Sequence, residues 1–61
     1  MKTKYDIGEE VYLMHFNQIN VLKVISIAIH KDLTIEYELE HDILRLEKDI
    51  YETRAKLIRQ L

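Results

Sequence analysis

The chain has 61 residues, enough for one domain spanning residues 1–61 and too few for a second. Its formal net charge of −2 produces no overall field that attracts phosphate, which argues against a long nucleic acid as its partner. The longest apolar-rich stretch, residues 21–29, contains Lys23 and is too short to cross a bilayer. Residues 1–6 are polar, unlike a signal peptide, and there is no cysteine, so we expect a cytoplasmic protein with no membrane partner.

The small size of the chain bears on its stability. A domain of this length buries only about 60% of the surface that its unfolded form exposes. No disulfide can supplement that core, and no zinc-binding motif is present. Since small domains without such supports often gain stability by association, we expect a homo-oligomer or a partner protein.

The first half of the chain predicts two strands joined by a hairpin. Gly8 precedes an apolar-rich segment, residues 9–14, which we assign as the first strand. Asn17-Gln18, or the longer segment 17–20, breaks the pattern, and asparagine tolerates left-handed backbone, so we place the hairpin turn there. Residues 21–29 are rich in isoleucine and valine and predict a long second strand.

Residues 33–40 carry the clearest signal in the chain. Apolar residues alternate with polar ones, mostly glutamates, which predicts a third strand with one buried face and one acidic, solvated face. Burial sets the register with the second strand, because a slip by one residue would place isoleucines opposite glutamates. This register leaves about three residues, 31–33, in the loop. The predicted pairs are Ile29 with Ile35, Ile27 with Tyr37, and Ile25 with Leu39.

A second tight turn follows the third strand. We expect His41-Asp42 to form a two-residue connection to a fourth strand. The register that results pairs Leu39 with Leu44, Tyr37 with Leu46, and Glu38 with Arg45. The last of these pairs would join opposite charges across neighbouring strands.

The C-terminal segment allows two interpretations. In the first, residues 48–51 form a short strand or a single helical turn, and Thr53 caps a short helix over about residues 53–61. In the second, one long helix runs from about Asp42, because Ile43, Ile50 and Leu57 recur every seven residues. That seam would also contain Thr53 and Gln60, and it would deprive the third strand of a neighbour, so we favour the first interpretation.

Three phrases of the sequence resemble those of small barrel proteins. Residues 5–12 (YDIGEEVY) resemble the opening strand of SH3-like and KOW-type barrels, and residues 24–27 (VISI) look like their second strand. The tail, residues 47–57 (EKDIYETRAKL), is similar to endings found in small accessory proteins of phages and mobile elements. The resemblance implies an SH3-like small curled sheet or barrel of four or five antiparallel strands. It also implies an inhibitor of a host system, which would act in the host cytoplasm.

Two groups of residues are candidates for binding. Aromatic and other apolar side chains that need not lie in the core would suit a protein interface. The first choice is Tyr12, Met14 and Phe16, and the second is Leu57, Ile58 and Leu61 of the helix. The C-terminal basic cluster could instead contact nucleic acid or a small anionic nucleotide, with an aromatic ring stacking on a base. Its residues are Lys48, Tyr51, Arg54, Lys56 and Arg59.

The sequence offers little for catalysis or cofactor binding. His15, His30 and His41 match no metal-binding spacing, and Ser26, the sole serine, lies within a strand. We interpret Glu36, Glu38 and Glu40 as a solvated face and not as an acid–base pair. We therefore expect a non-enzymatic binding protein without a cofactor. It would act as a homo-oligomer or as a stoichiometric inhibitor or adaptor, and nucleic-acid or nucleotide binding is the alternative.

Overall fold

A four-stranded antiparallel sheet makes up most of the fold. The structure is a computed structural model and describes residues 3–61. The strands β1 (Glu10–His15), β2 (Gln18–Ile29), β3 (Ile35–Leu39) and β4 (Ile43–Leu46) are neighbours in chain order, and one short helix, α1 (Arg54–Ile58), follows them. The predicted fold class is confirmed: the chain is mostly β, with a small curled antiparallel sheet and a short C-terminal helix.

The curl of the sheet depends on an irregularity in β2. Its first half pairs with β1 and its second half with β3, and the register shifts between Val24 and Ser26. An extra residue in a strand reverses which side chains face the core. Val24 therefore takes the position opposite Leu39 that we predicted for Ile25, and Ile25 is 49% exposed. The other two predicted pairs, Ile29 with Ile35 and Ile27 with Tyr37, are confirmed.

The two turns on either side of β2 differ in how well they were predicted. Residues 30–34 join β2 and β3, and because the His30 amide donates a hydrogen bond of 2.9 Å to the Thr34 carbonyl oxygen, the loop itself spans the expected residues 31–33. Leu33 lies there in the left-handed region, with φ of 70°. The β1–β2 turn lies one residue earlier than predicted. Since His15 pairs with Gln18, its two central residues are Phe16 and Asn17, and Gln18 already belongs to β2.

The register between β3 and β4 corrects the prediction. Three residues, Glu40–Asp42, form the connection, and it is not a regular helical turn because His41 and Asp42 both have positive φ. Because the connection has three residues and not two, every predicted pair shifts by one. Leu39 pairs with Ile43, Glu38 with Leu44, and Tyr37 with Arg45, so the predicted Glu38–Arg45 charge pair does not form.

The chain returns to β1 after the fourth strand. A 3₁₀ turn, Glu47–Asp49, leads to Tyr51, which exchanges two backbone hydrogen bonds of 2.7 and 2.9 Å with Tyr12. The Thr53 hydroxyl then caps α1 by accepting a hydrogen bond from the Lys56 amide, as predicted. The helix ends at Ile58, earlier than expected, and the long-helix alternative is wrong because Ile43–Leu46 is a strand.

One apolar cluster fills the concave side of the sheet. Its buried members come from β1, β2 and β3 and from the segments before β1 and after β4: Tyr5, Val11, Leu13, Leu22, Val24, Tyr37, Leu39 and Ile50. The rings of Tyr5 and Tyr37 meet edge to face, with centroids 5.5 Å apart. Leu57 of α1 is also buried but is not a member of this cluster, and the helix packs on β1.

Candidate protein-binding surface

The tip of the β1–β2 hairpin presents an aromatic side chain to solvent. Phe16 is 87% exposed, the most exposed of the large apolar residues within 3–61. Its φ is 52° and that of Asn17 is 59°, as a type I′ turn requires. Such turns favour asparagine and glycine, and a bulky side chain in the left-handed region is an outlier. Phe16 therefore combines an unfavourable backbone conformation with an unfavourable exposure.

Neighbouring residues hold the tip in place. The side-chain amide of Asn20 donates hydrogen bonds to the carbonyl oxygens of Gln18, at 3.1 Å, and His15, at 3.4 Å. The ring of His15 lies against that of Phe16, with centroids 4.3 Å apart. These contacts brace both sides of the turn. The Phe16 ring is thus presented on a supported hairpin and not on a long loop.

A groove opens where β4 and the C-terminal segment approach β1. We call it the seam groove. It has a volume of about 320 Å³, near the lower end of the range for ligand pockets. Its lining comes from β1, β4, the 3₁₀ turn and the C-terminal segment: Met14, Arg45, Asp49, Tyr51, Leu57, Gln60 and Leu61. The apolar part of that lining includes one side chain, Leu61, that is 74% exposed.

Arg45 connects the seam groove to the hairpin tip. Its Nη2 donates a hydrogen bond of 3.1 Å to Nδ1 of His15, and its Nη1 donates one of 2.7 Å to the carbonyl oxygen of Leu44. Arg45 is partly buried as a residue, and both acceptors are uncharged groups when His15 is neutral. The ion pairs within residues 3–61 lie elsewhere, between His30 and Glu36 and between Lys56 and Glu52.

The structure brings together members of both predicted interface groups. Met14 from the first group and Leu57 and Leu61 from the second line the same groove. Phe16 lies two residues beyond Met14, at the tip. Tyr12 is partly buried, and its backbone pairs with Tyr51. Ile58 is 49% exposed and does not line the groove.

The predicted anion-binding residues do not all line the same cavity. Tyr51 lines the seam groove, whereas Lys48 lines a different cavity of about 470 Å³ together with Lys4 and Glu47. In that second cavity Glu47 already accepts hydrogen bonds from the Tyr37 hydroxyl and the Lys4 amide. The remaining three, Arg54, Lys56 and Arg59, are exposed on the C-terminal segment, where Lys56 pairs with Glu52.

Glu36, Glu38 and Glu40 each contact a residue of β2 or the residue that follows it. Glu36 contacts His30 at 3.2 Å, Glu38 accepts from the Ser26 hydroxyl at 2.8 Å, and Glu40 accepts from the Lys23 amide at 2.9 Å. All three glutamates are partly exposed, so the predicted solvated face is also hydrogen-bonded to neighbouring residues. Their oxygens bind the sheet itself instead of standing free.

Neither a metal centre nor a membrane span is visible in the described part of the chain. Within residues 3–61, no three histidine, aspartate or glutamate side chains are grouped so that they could hold a metal ion. The three histidines lie apart: His15 at Arg45, His30 at Glu36, and His41 exposed in the turn before β4. No helix formed by these residues has the length and apolar character needed to cross a bilayer.

Sequence reasoning missed Arg45, Asp49 and Gln60 as members of the surface. The predicted register assigned Arg45 to a charge pair with Glu38. A predicted connection of three residues before β4 would have paired Arg45 with Tyr37, as the structure does. Asp49 and Gln60 carry no sequence signal that sets them apart from other polar residues.

Comparison with protein-family models, curated proteins and solved structures finds no match for this chain.

Proposed function

We propose that the chain is a non-enzymatic binding protein that covers a site on another polypeptide, using the Phe16 tip and the seam groove. The single observation that carries the proposal is Phe16, which is 87% exposed at a φ of 52°. Burying a phenylalanine side chain is worth about 1.5–3 kcal/mol. An isolated domain gains none of this from Phe16, whereas a complex that buries the ring does.

The surroundings of Phe16 support a polypeptide partner. Aromatic residues supported by a rigid scaffold are common anchors of protein interfaces. Met14, Leu57 and Leu61 extend the apolar surface next to the tip, and Arg45 and Tyr51 add polar groups. This mixture of apolar, aromatic and arginine side chains is typical of an interface centre.

Two forms of the proposal use the same surface. In the first, the chain binds a different protein in a fixed ratio, as an inhibitor or adaptor does. In the second, two copies meet through their tips and grooves and form a homo-oligomer. The nucleic-acid alternative has less support, because Lys48 and Tyr51 line different cavities.

Site-specific crosslinking in the cells that produce the chain tests the proposal. The photoreactive residue p-benzoylphenylalanine replaces Phe16, which keeps an aromatic ring at the tip. The matched control carries it in place of Leu33, which is 64% exposed, also has positive φ and lies at the other end of β2. Adducts are separated by mass and identified.

We expect irradiation to give one discrete adduct from position 16 and none of the same mass from position 33. A Met14→Asp substitution in the same chain should abolish that adduct, because it places a charge in the groove wall. An adduct between two copies would select the homo-oligomer, and one with another protein would select the stoichiometric partner. Equal labelling from positions 16 and 33, or no polypeptide adduct from position 16, would contradict the proposal.

A further inference from the structure

The seam groove contains a cation, Arg45, that forms no ion pair with any other residue of 3–61. Arg45 is partly buried, and its two observed acceptors are the Leu44 carbonyl oxygen and Nδ1 of His15. Asp49 lines the same groove, but the ion pairs found within residues 3–61 do not include it. A partly buried guanidinium is stabilised when a carboxylate or phosphate accepts its remaining N–H donors.

From this charge, and given the proposed function, we infer that the seam groove binds a peptide segment presenting one carboxylate beside large apolar side chains. The carboxylate accepts hydrogen bonds from Arg45. Of the five N–H donors of an arginine, two are used here by the Leu44 carbonyl oxygen and Nδ1 of His15. The apolar side chains of the segment pack on Met14, Leu57 and Leu61. The carboxylate can belong to an aspartate or glutamate side chain or to the C-terminus of the segment.

The groove favours a single carboxylate over a polyanion. Among the side chains of residues 3–61 that line the groove, Arg45 is the one cation and Asp49 the one anion. Repulsion by Asp49 therefore grows with every further anionic group bound, while the attraction to Arg45 is already used by the first. The partly buried glutamates of β3 also place negative charge on the sheet. Both features oppose a run of phosphates, while one carboxylate flanked by apolar groups matches the lining.

Peptide display tests the inference with the full chain as bait. One random library displays peptides with a free C-terminus, and a second displays the same peptides with their C-termini blocked by fusion. Three baits are compared: the unmodified chain, Arg45→Gln, and the control Lys31→Gln. Lys31 is exposed in the loop between β2 and β3, at the far end of β2, so the control removes the same charge away from the groove.

We expect the unmodified chain and Lys31→Gln to enrich peptides that combine leucine, isoleucine, phenylalanine or methionine with one carboxylate. Against Arg45→Gln these peptides should bind about tenfold more weakly, the loss of one charge-assisted contact. Enrichment in both libraries would identify a side-chain carboxylate, and enrichment with a free C-terminus alone would identify a terminal one.

The outcomes separate this inference from the proposed function. Apolar peptides enriched without any preference for a carboxylate would overturn the inference and leave the binding function intact. No enrichment by any bait would contradict both. Binding of a fluorescent oligothymidine that depends on Arg45 would overturn the inference in favour of a nucleic acid.

A second variant protects the test from a folding defect in Arg45→Gln. Leu61 is 74% exposed, so Leu61→Ser is expected to fold normally. This variant should enrich peptides with large apolar side chains less strongly, while its preference for peptides with a carboxylate remains. If Leu61→Ser left the enriched peptides and their affinities unchanged, the seam groove would not be their binding site.

Discussion

The guanidinium of Arg45 donates a hydrogen bond of 3.1 Å to Nδ1 of His15, and so joins the edge strand β4 to the last residue of β1. Arginine has donors and no acceptor, so Nδ1 must be the acceptor in this contact. The proton of a neutral His15 ring is then on Nε2. The contact links the wall of the seam groove to the base of the hairpin tip.

A double-mutant cycle measures how strongly this contact joins the two strands. We expect Arg45→Gln and His15→Ala each to lower the free energy of unfolding by about 1 kcal/mol. The double variant should lose less than the sum, with a coupling energy of about 0.5 kcal/mol or more, as residues in contact show. Urea unfolding provides the values, and Lys31→Gln should change stability by less than about 0.5 kcal/mol. Strictly additive losses would mean that the contact does not form in solution.

The hydroxyl of Tyr37 is predicted to be important for stability. It donates a hydrogen bond of 2.6 Å to Glu47 and accepts one of 3.2 Å from the Tyr5 amide. Tyr37→Phe leaves the buried Tyr5 amide without its acceptor and Glu47 with only the Lys4 amide as donor, and it should cost about 1–3 kcal/mol. The matched control, Tyr12→Phe, removes the same atom from a partly buried ring and should change stability by less than about 0.5 kcal/mol. Equal losses for the two variants, measured by urea unfolding, would refute the role of this hydroxyl.

Alkaline pH should weaken the fold through the same residue. Burial, followed by the hydrogen bond to Glu47, raises the pKa of Tyr37 from 10.0 to about 12. The folded state therefore holds this proton more tightly than the unfolded state. The contribution of the Tyr37 proton to the free energy of unfolding is complete below the pKa of the unfolded state. It is lost as pH rises through the pKa of the folded state, a change on the order of 2–3 kcal/mol.

Unfolding free energies measured between about pH 9 and about pH 12 should show this decline, with tyrosinate absorbance reporting ionisation. Tyr37→Phe should decline less steeply. Some decline should remain in that variant, because burial also raises the pKa of Tyr5. If the free energy of unfolding of Tyr37→Phe fell with pH as steeply as that of the unmodified chain, Tyr37 would not be the group responsible.

The alternating pattern of residues 33–40 was sufficient to predict β3 and most of its register with β2. The pattern could not reveal the bulge, because Ile25 is as apolar as the isoleucines that do face the core. Only the change of partner along β2 shows that one residue must be left out of the pairing. The identity of Ile25 therefore predicted burial, whereas its position at the bulge leaves it half exposed.

The turns were harder to predict because the chain contains one glycine and no proline. Non-glycine residues must adopt left-handed backbone, as Phe16, Leu33 and His41 do. Nothing in the type of these residues marks them for that conformation. The resulting errors of one residue moved the β1–β2 turn and the β4 register, and the second of these hid Arg45 from the predicted surface. The sequence did indicate Met14, Phe16 and Leu57, but as two separate groups.

The most direct test of the central claim compares Phe16→Asn with Leu33→Asn. Both substitutions place a residue that tolerates left-handed backbone at an exposed, positive-φ position, so each should raise the free energy of unfolding by about 0.5–1 kcal/mol. We predict that only Phe16→Asn, and not Leu33→Asn, then loses the peptides enriched by the unmodified chain. A Phe16→Asn protein that is more stable and still enriches the same peptides would show that the exposed ring has no part in binding.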